Sequence, residues 1–159
     1  MRYLVAGMIL AVFIVLDYVT GGCDLNSFMR SVKRPRLPLT FPAWYVMGFI
    51  FFAACYMAMV PLLRQRLSGK GMAATFSLIV VVMTANAVWN LLLFLRRDYR
   101  LSFFFSFFYA TAVAVLAWRV LTPDKPAGWL LLLFVSFVVY TGFWTYQVWK
   151  LNPPDQQAH

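Results

Sequence analysis

Five apolar stretches, each long enough to cross a lipid bilayer, alternate with short loops that carry nearly all of the charge. A spanning helix needs about 20 mostly apolar residues to cross a hydrocarbon core about 30 Å thick. Hydrophobic residues make up 63% of the 159 here and charged residues 12%. The pattern predicts spans over residues 3–20, 42–63, 72–95, 101–121 and 128–151. Inside hydrocarbon each backbone N–H and C=O must be satisfied within the segment, so stretches of this length form helices. The expected fold is an all-α integral membrane protein: a five-transmembrane-helix bundle with a long loop between helices 1 and 2. No linker or low-complexity segment divides residues 1–159, so a single membrane domain is expected.

The net charge is +9, which would suit nucleic acid if the positive residues formed one patch. They do not. Arg30, Lys33, Arg34 and Arg36, then Arg64, Arg66 and Lys70, then Arg96, Arg97 and Arg100 sit at helix ends. There they meet lipid phosphates and set topology, so membrane lipid is the expected partner and nucleic acid is not. With five crossings, the first and third clusters share one side with Lys150, eight basic residues against six on the other side. The positive-inside rule then leans towards a multi-pass protein with a cytoplasmic C-terminus. Cys23 follows the first span and Cys55 falls near the middle of the second, depths too different for a disulfide. Thr20-Gly21-Gly22-Cys23 has the look of a signal-peptide cleavage site, but Asp17 lies inside the run and four spans follow. The first helix is expected to be retained.

The loop over residues 21–41 is the longest connection. Gly21-Gly22 should end the first helix, Ser27 could cap a short turn through Val32, and Pro35, Pro38 and Pro42 impose an extended path. It reads either as a lid over a binding site or as a connector held at the headgroups. The other loops are short, which predicts an up-and-down bundle. Ala54/Ala58 and Ala110/Ala114 are spaced for close helix approach.

Polar groups inside a span are costly and mark the places to look for function. Asn86 and Asn90 flank Trp89 in the third span, and positions 86, 89, 90 and 93 share one helical face. That face either makes an interhelical packing bond or contacts a ligand, with an indole for stacking and amides for hydrogen bonds. In the fifth span Phe137, Tyr140, Trp144 and Gln147 recur at three- and four-residue steps, a stripe suited to the opposite wall of a site for a flat hydrophobic ligand. Asp17 is the only acid inside a span. It either reaches water at the helix end, pairs with a loop arginine, or faces a ligand at the pocket mouth. The fourth span, with Phe103, Phe104, Phe105, Phe107, Phe108 and Tyr109, is apolar all round and is expected to carry no chemistry, only lipid or a subunit contact.

The only histidine is His159 and there is no glutamate. No metal-ligand set, nucleophile–base pair or paired carboxylates can be assembled, so no catalytic or metal-binding residue is assigned and no required cofactor is expected. An intramembrane enzyme would have only Asp17, Tyr140 and scattered hydroxyls to work with.

Beyond these features, the chain resembles the TspO/MBR family, the tryptophan-rich sensory protein or translocator protein family, also called the peripheral benzodiazepine receptor family. Asn86-Ala87-Val88-Trp89 followed by Leu93-Phe94 resembles the family's third-helix Asn-x-x-Trp and the Phe-rich turn after it. Arg34-Pro35, Pro42-Ala43-Trp44 and the closing Leu151-Asn152 are similar to other family positions. The likeness covers essentially the whole chain and marks a divergent member. Leu37-Pro38-Leu39-Thr40 stands for the family's Trp-x-Pro-Pro, and Ile50 and Phe28 stand where Trp is common. Leu133, Phe137 and Thr145 replace Pro, Trp and Asn, and the cholesterol-recognition pattern before Lys150 is incomplete.

The resemblance implies a five-helix bundle, commonly a homodimer, that binds a porphyrin such as haem or protoporphyrin IX, and in some members a sterol, in a pocket beneath the first loop. It implies transport, sequestration or stress sensing, and places Trp44, Asn86 and Trp89 in that pocket. Asn90, Tyr140 and Trp144 join them from the helical-face reading alone. The alternative is a non-catalytic structural or accessory subunit packed against another membrane protein.

Overall fold

The computed structural model describes residues 2–22, 28, 30–33, 35, 40–64, 70–122 and 124–153. Five helices account for nearly all of them. Helix α1 spans Arg2–Asp17 and runs into a π-helical turn, Tyr18–Gly22. Helix α2 spans Phe41–Arg64. Helix α3 spans Lys70–Asn90 and also runs into a π-helical turn, Leu91–Leu95. Helices α4 and α5 span Tyr99–Leu121 and Lys125–Leu151. All five are long and apolar enough to cross a membrane, which is the architecture of a multi-pass integral membrane protein.

The helix starts differ by a few residues from the hydropathy pattern, because caps and not apolarity set them. Asp98 accepts a bond from the Leu101 N–H at 2.9 Å, so α4 begins at Tyr99. Asp124 accepts from the Ala127 N–H at 3.3 Å, and Pro126 sits in the first turn of α5, where its missing N–H costs nothing. Pro61 lies inside α2 one turn from its end, late enough for the helix to continue through it.

Around the bundle α1 packs on α2, α2 on α5, α5 on α4, α4 on α3, and α3 back on α1. The most extensive pairing is α4 with α5, joined by a turn that Gly128 makes possible. A Cβ at Gly128 would lie 2.5 Å from the Leu121 Cα, so no other residue fits there without moving the backbone. The core holds Phe51, Met59, Ile79, Met83, Leu116 and Leu131, each nearly inaccessible.

The fourth span is not uniform around its axis, contrary to the expectation from its Phe-rich sequence. Ser102, Ser106, Tyr109, Val113 and Leu116 recur at helical spacing and are buried, while Phe104, Phe107 and Phe108 point outward. The small hydroxyls let α4 lie close to its neighbours, and hydrocarbon accepts the phenylalanines on the other side. Hydropathy averages over both faces and hides the distinction.

Described parts of the first loop lie against one end of the bundle. Phe28 is buried, with its ring edge-on to Phe94 at 4.9 Å and near Tyr99 and Trp144 at 6.3 and 6.5 Å. Asn152 ties the loop to the end of α5. Its Oδ1 accepts the Lys33 N–H at 2.9 Å, and its Nδ2 donates to the Lys33 carbonyl at 3.3 Å. Ser27, Cys23, Arg34 and Pro38, to which the sequence reading gave capping, thiol, topological and loop-shaping roles, lie outside the described residues.

Candidate functional site

A cavity of about 300 Å³ lies inside the bundle near the ends of α1 and α3, with walls from every helix. Four of the six residues singled out in the sequence line it: Trp44, Asn86, Trp89 and Asn90. The other two do not. Trp144 is buried beneath Phe28, and Tyr140 lies on a different face of α5. The residues of α5 that reach the cavity are Phe134, Phe137, Val138 and Thr141. Phe137 is the one member of the expected stripe among them, because the facing surface is set by the α2 contact and is rotated from the 137–140–144–147 line.

One wall is polar and closely organised. Asp17 Oδ1 accepts from Asn86 Nδ2 at 2.5 Å and also from Asn90 Nδ2. Asn86 Oδ1 in turn accepts from the Tyr109 hydroxyl at 2.7 Å, which ties α4 into the same cluster. Two amides at i and i+4 present their donors from one helical face, so a single carboxylate on a neighbouring helix can take both. Hydrogen bonds to a charged acceptor contribute about 1.5–3 kcal/mol each in soluble proteins, and measured interhelical bonds in membranes average less.

Among the described residues Asp17 makes its bonds to the two α3 amides and to no arginine, and it lines the cavity. Asn86 and Asn90 make the interhelical bonds of the packing reading, and both also line the space. Tyr109 corrects the expectation that the fourth span carries no chemistry.

The α1 and α3 ends approach closely enough for this through their π-helical turns, which begin immediately after Asp17 and Asn90. A wider turn shifts the following residues out of the ordinary helical register, and such turns recur at functional sites. Gly21 sits in the first of them. A Cβ there would stand 3.1 Å from Asn90 Cβ and Cγ and from a Phe94 ring carbon.

Most of the remaining lining is aromatic. Trp44 and Trp89 stack nearly parallel, with centroids 5.5 Å apart and planes 10° from each other. Phe94 and Phe137 meet Trp44 edge-on at 5.3 and 5.8 Å. The Trp89 indole N–H donates to the Ser102 carbonyl at 3.2 Å, so this ring offers a surface and not a hydrogen bond. Ile14 and Tyr18 from the α1 end, with Tyr45 and Phe49 from α2, line the cavity and are exposed on the outer surface. The opening therefore lies between α1 and α2 and faces where lipid would be. Gly48 borders the same space, and a Cβ built there meets no atom within 4 Å.

Sequence reasoning missed Tyr18, Tyr45, Phe49, Phe52 and Phe134, for which no signal separates cavity lining from ordinary packing. Asp17 with its amide pair had a signal: the single in-span acid and an Asn pair at i, i+4 stand at matching depths in two spans of the same direction. Compared with protein-family models and with curated proteins, the chain matches none.

Proposed function

We propose that this chain is a non-catalytic membrane protein that binds a flat hydrophobic ligand in the Asp17–Trp44–Asn86 cavity. The ligand class is a porphyrin or haem-like tetrapyrrole, or a sterol, and the role is transport, sequestration or stress sensing. In this reading the chain is a divergent member of the TspO/MBR family that forms homodimers and has a cytoplasmic C-terminus. The observation that carries the binding role is the cavity itself: a space at the lower end of ligand-pocket sizes, walled by aromatic rings, with its carboxylate and amide groups together on the α1–α3 side. Apolar burial and stacking supply the affinity, and the polar side orients what enters. A whole tetrapyrrole is larger than the enclosed space, so its edge would project through the opening between α1 and α2.

The α4 phenylalanines favour no accessory-subunit role, because lipid covers such a face as well as a protein does. Entry from the bilayer follows from the position of the opening, and a hydrophobic ligand already partitions there.

Gly48 provides the cleanest test. Replacing Trp89 or Asn86 removes packing along with any ligand contact, whereas Gly48→Leu adds a side chain into open space and favours the helix by about 1 kcal/mol. Protein in nanodiscs is titrated with protoporphyrin IX, following quenching of tryptophan fluorescence. Gly7→Leu serves as control, since Gly7 also faces open space but does not line the cavity. Saturable quenching is expected in the wild type and in Gly7→Leu, and at least about tenfold weaker binding in Gly48→Leu, an energy of about 1.4 kcal/mol. Quenching that does not saturate, or that is equal in all three proteins, would remove the cavity as the binding site.

A further inference from the structure

Resting on the reading of the cavity as a site for flat hydrophobic molecules, we infer that among molecules of that shape it favours those with a positively charged or strongly donating head, an organic ammonium on a flat apolar body, seated against Asp17. Both bonds that Asp17 receives go to Oδ1, and both come from neutral amides. Among the described residues none donates to Oδ2, and that oxygen is not among the buried atoms left without a partner, so it is open to the cavity that Asp17 lines. Asn90, 3% exposed, lines the cavity beside Asp17, and its Oδ1 is enclosed and has no hydrogen-bond partner among the described residues, a second acceptor that a small shift of the amide would present.

The charge inventory is one-sided. No lysine, arginine or histidine is among the described residues that line the cavity. A carboxylate in an apolar setting without a counter-cation is costly, and an incoming ammonium supplies both the opposite charge and N–H donors. The remaining walls suit the same guest. Trp44, Tyr45, Phe49, Phe52 and Phe137 surround the space, and aromatic faces attract cations through their quadrupoles. An acidic head meets the opposite conditions: a like charge, acceptors where it needs donors, and ring faces that are negative. An acidic porphyrin could enter only with its carboxylates turned away from Asp17, towards the opening.

Three pyrene probes of nearly one shape separate charge from hydrophobicity: pyrenemethylamine, pyrenemethanol and pyrenecarboxylic acid. Each is titrated against protein in phosphatidylcholine nanodiscs, with empty discs subtracted, reading energy transfer from tryptophan to pyrene. The amine is expected to bind about tenfold or more tightly than the alcohol, with the acid weakest. Asp17→Asn should bring the amine down to the level of the alcohol, and Gly48→Leu should weaken all of them. If the alcohol or the acid equals the amine while Gly48→Leu still weakens binding, the cavity stands and the ammonium preference is overturned. If no probe saturates above empty discs, or Gly48→Leu changes nothing, the cavity reading falls and this inference with it. Should Asp17→Asn not fold, the wild-type order of the three probes decides.

Discussion

The two ends of the bundle each hold a charged residue that bridges two helices beside an open space, and they differ in what surrounds it. Near the start of α3 and the end of α4, a cleft of about 840 Å³ is bordered by Arg119, Thr75 and Gly71. Arg119 Nε donates to the Thr75 hydroxyl at 3.1 Å and its Nη2 to the Gly71 carbonyl at 3.3 Å. Its charged group is engaged in joining α4 to α3. At the other end the space is smaller, about 300 Å³, yet Asp17 keeps one oxygen open and aromatic rings surround it. Volume alone would choose the Arg119 end. Hydrogen-bonding capacity left open inside an apolar enclosure is the better mark of a binding site, because a ligand can satisfy it and lipid cannot.

The contrast is sharpest for the residues that hold each end together. Tyr109 is 1% exposed and links α4 to Asn86, whereas Arg119 lies on the surface. Tyr109→Ala should destabilise the protein by about 3–5 kcal/mol through the cavity it leaves and the acceptor it orphans. Arg119→Ala should cost about 0.5 kcal/mol or less. Reversible unfolding in mixed micelles measures both, and equal losses would mean that the two ends are not organised differently after all.

Glycines give a second comparison with smaller effects. Gly21→Ala forces a methyl to 3.1 Å from Asn90 and Phe94, pressing α1 away from α3, and should cost about 1–3 kcal/mol. It should also loosen ligand binding, since Asp17 and Asn90 separate with it. At the opposite end a Cβ on Gly71 would meet only Arg119 Nη2, at 3.9 Å, an ordinary contact. Gly71→Ala should leave stability level or slightly higher. A Gly21→Ala protein as stable as the wild type would show that the π-helical turn has slack and does not set the Asp17–Asn90 contact.

How much of this could be read from the sequence differs between fold and site for a physical reason. Span length is fixed by bilayer thickness, so the five helices followed from hydropathy, with boundaries shifted by a few residues, at the starts of α4 and α5 by the Asp98 and Asp124 caps. Asn86, Trp89 and Asn90 were legible because polar groups in hydrocarbon must face inward. Tyr140 and Trp144 were not placed correctly because an aromatic stripe fixes a helix face without fixing its rotation against the neighbour. In the soluble case the polar side of a helix settles that rotation. Here α5 is apolar around most of its circumference, and lipid and core attract the same residues. Tyr109 was hidden for a related reason, inside a run of phenylalanines that point both ways.

The turn between α3 and α4 offers the mildest test, and it bears on the end that carries the cavity. Arg97 has a φ of 53°, in the left-handed region where a Cβ crowds the backbone. That conformation costs about 1–2 kcal/mol for a residue other than glycine. Arg97→Gly removes the cost in the folded state but gives the unfolded chain more freedom, about 0.4–1 kcal/mol in the other direction. The net expectation is a gain of roughly 0.5 kcal/mol. Arg96, next to it, has a φ of −83° and caps the π-helical turn through its N–H to the Leu91 carbonyl at 2.9 Å. Arg96→Gly should therefore lose stability by about the amount its neighbour gains, since only the unfolded-state term applies to it. Both variants remove one positive charge from the same loop, so charge cancels in the comparison and the sign of the difference reports backbone conformation alone.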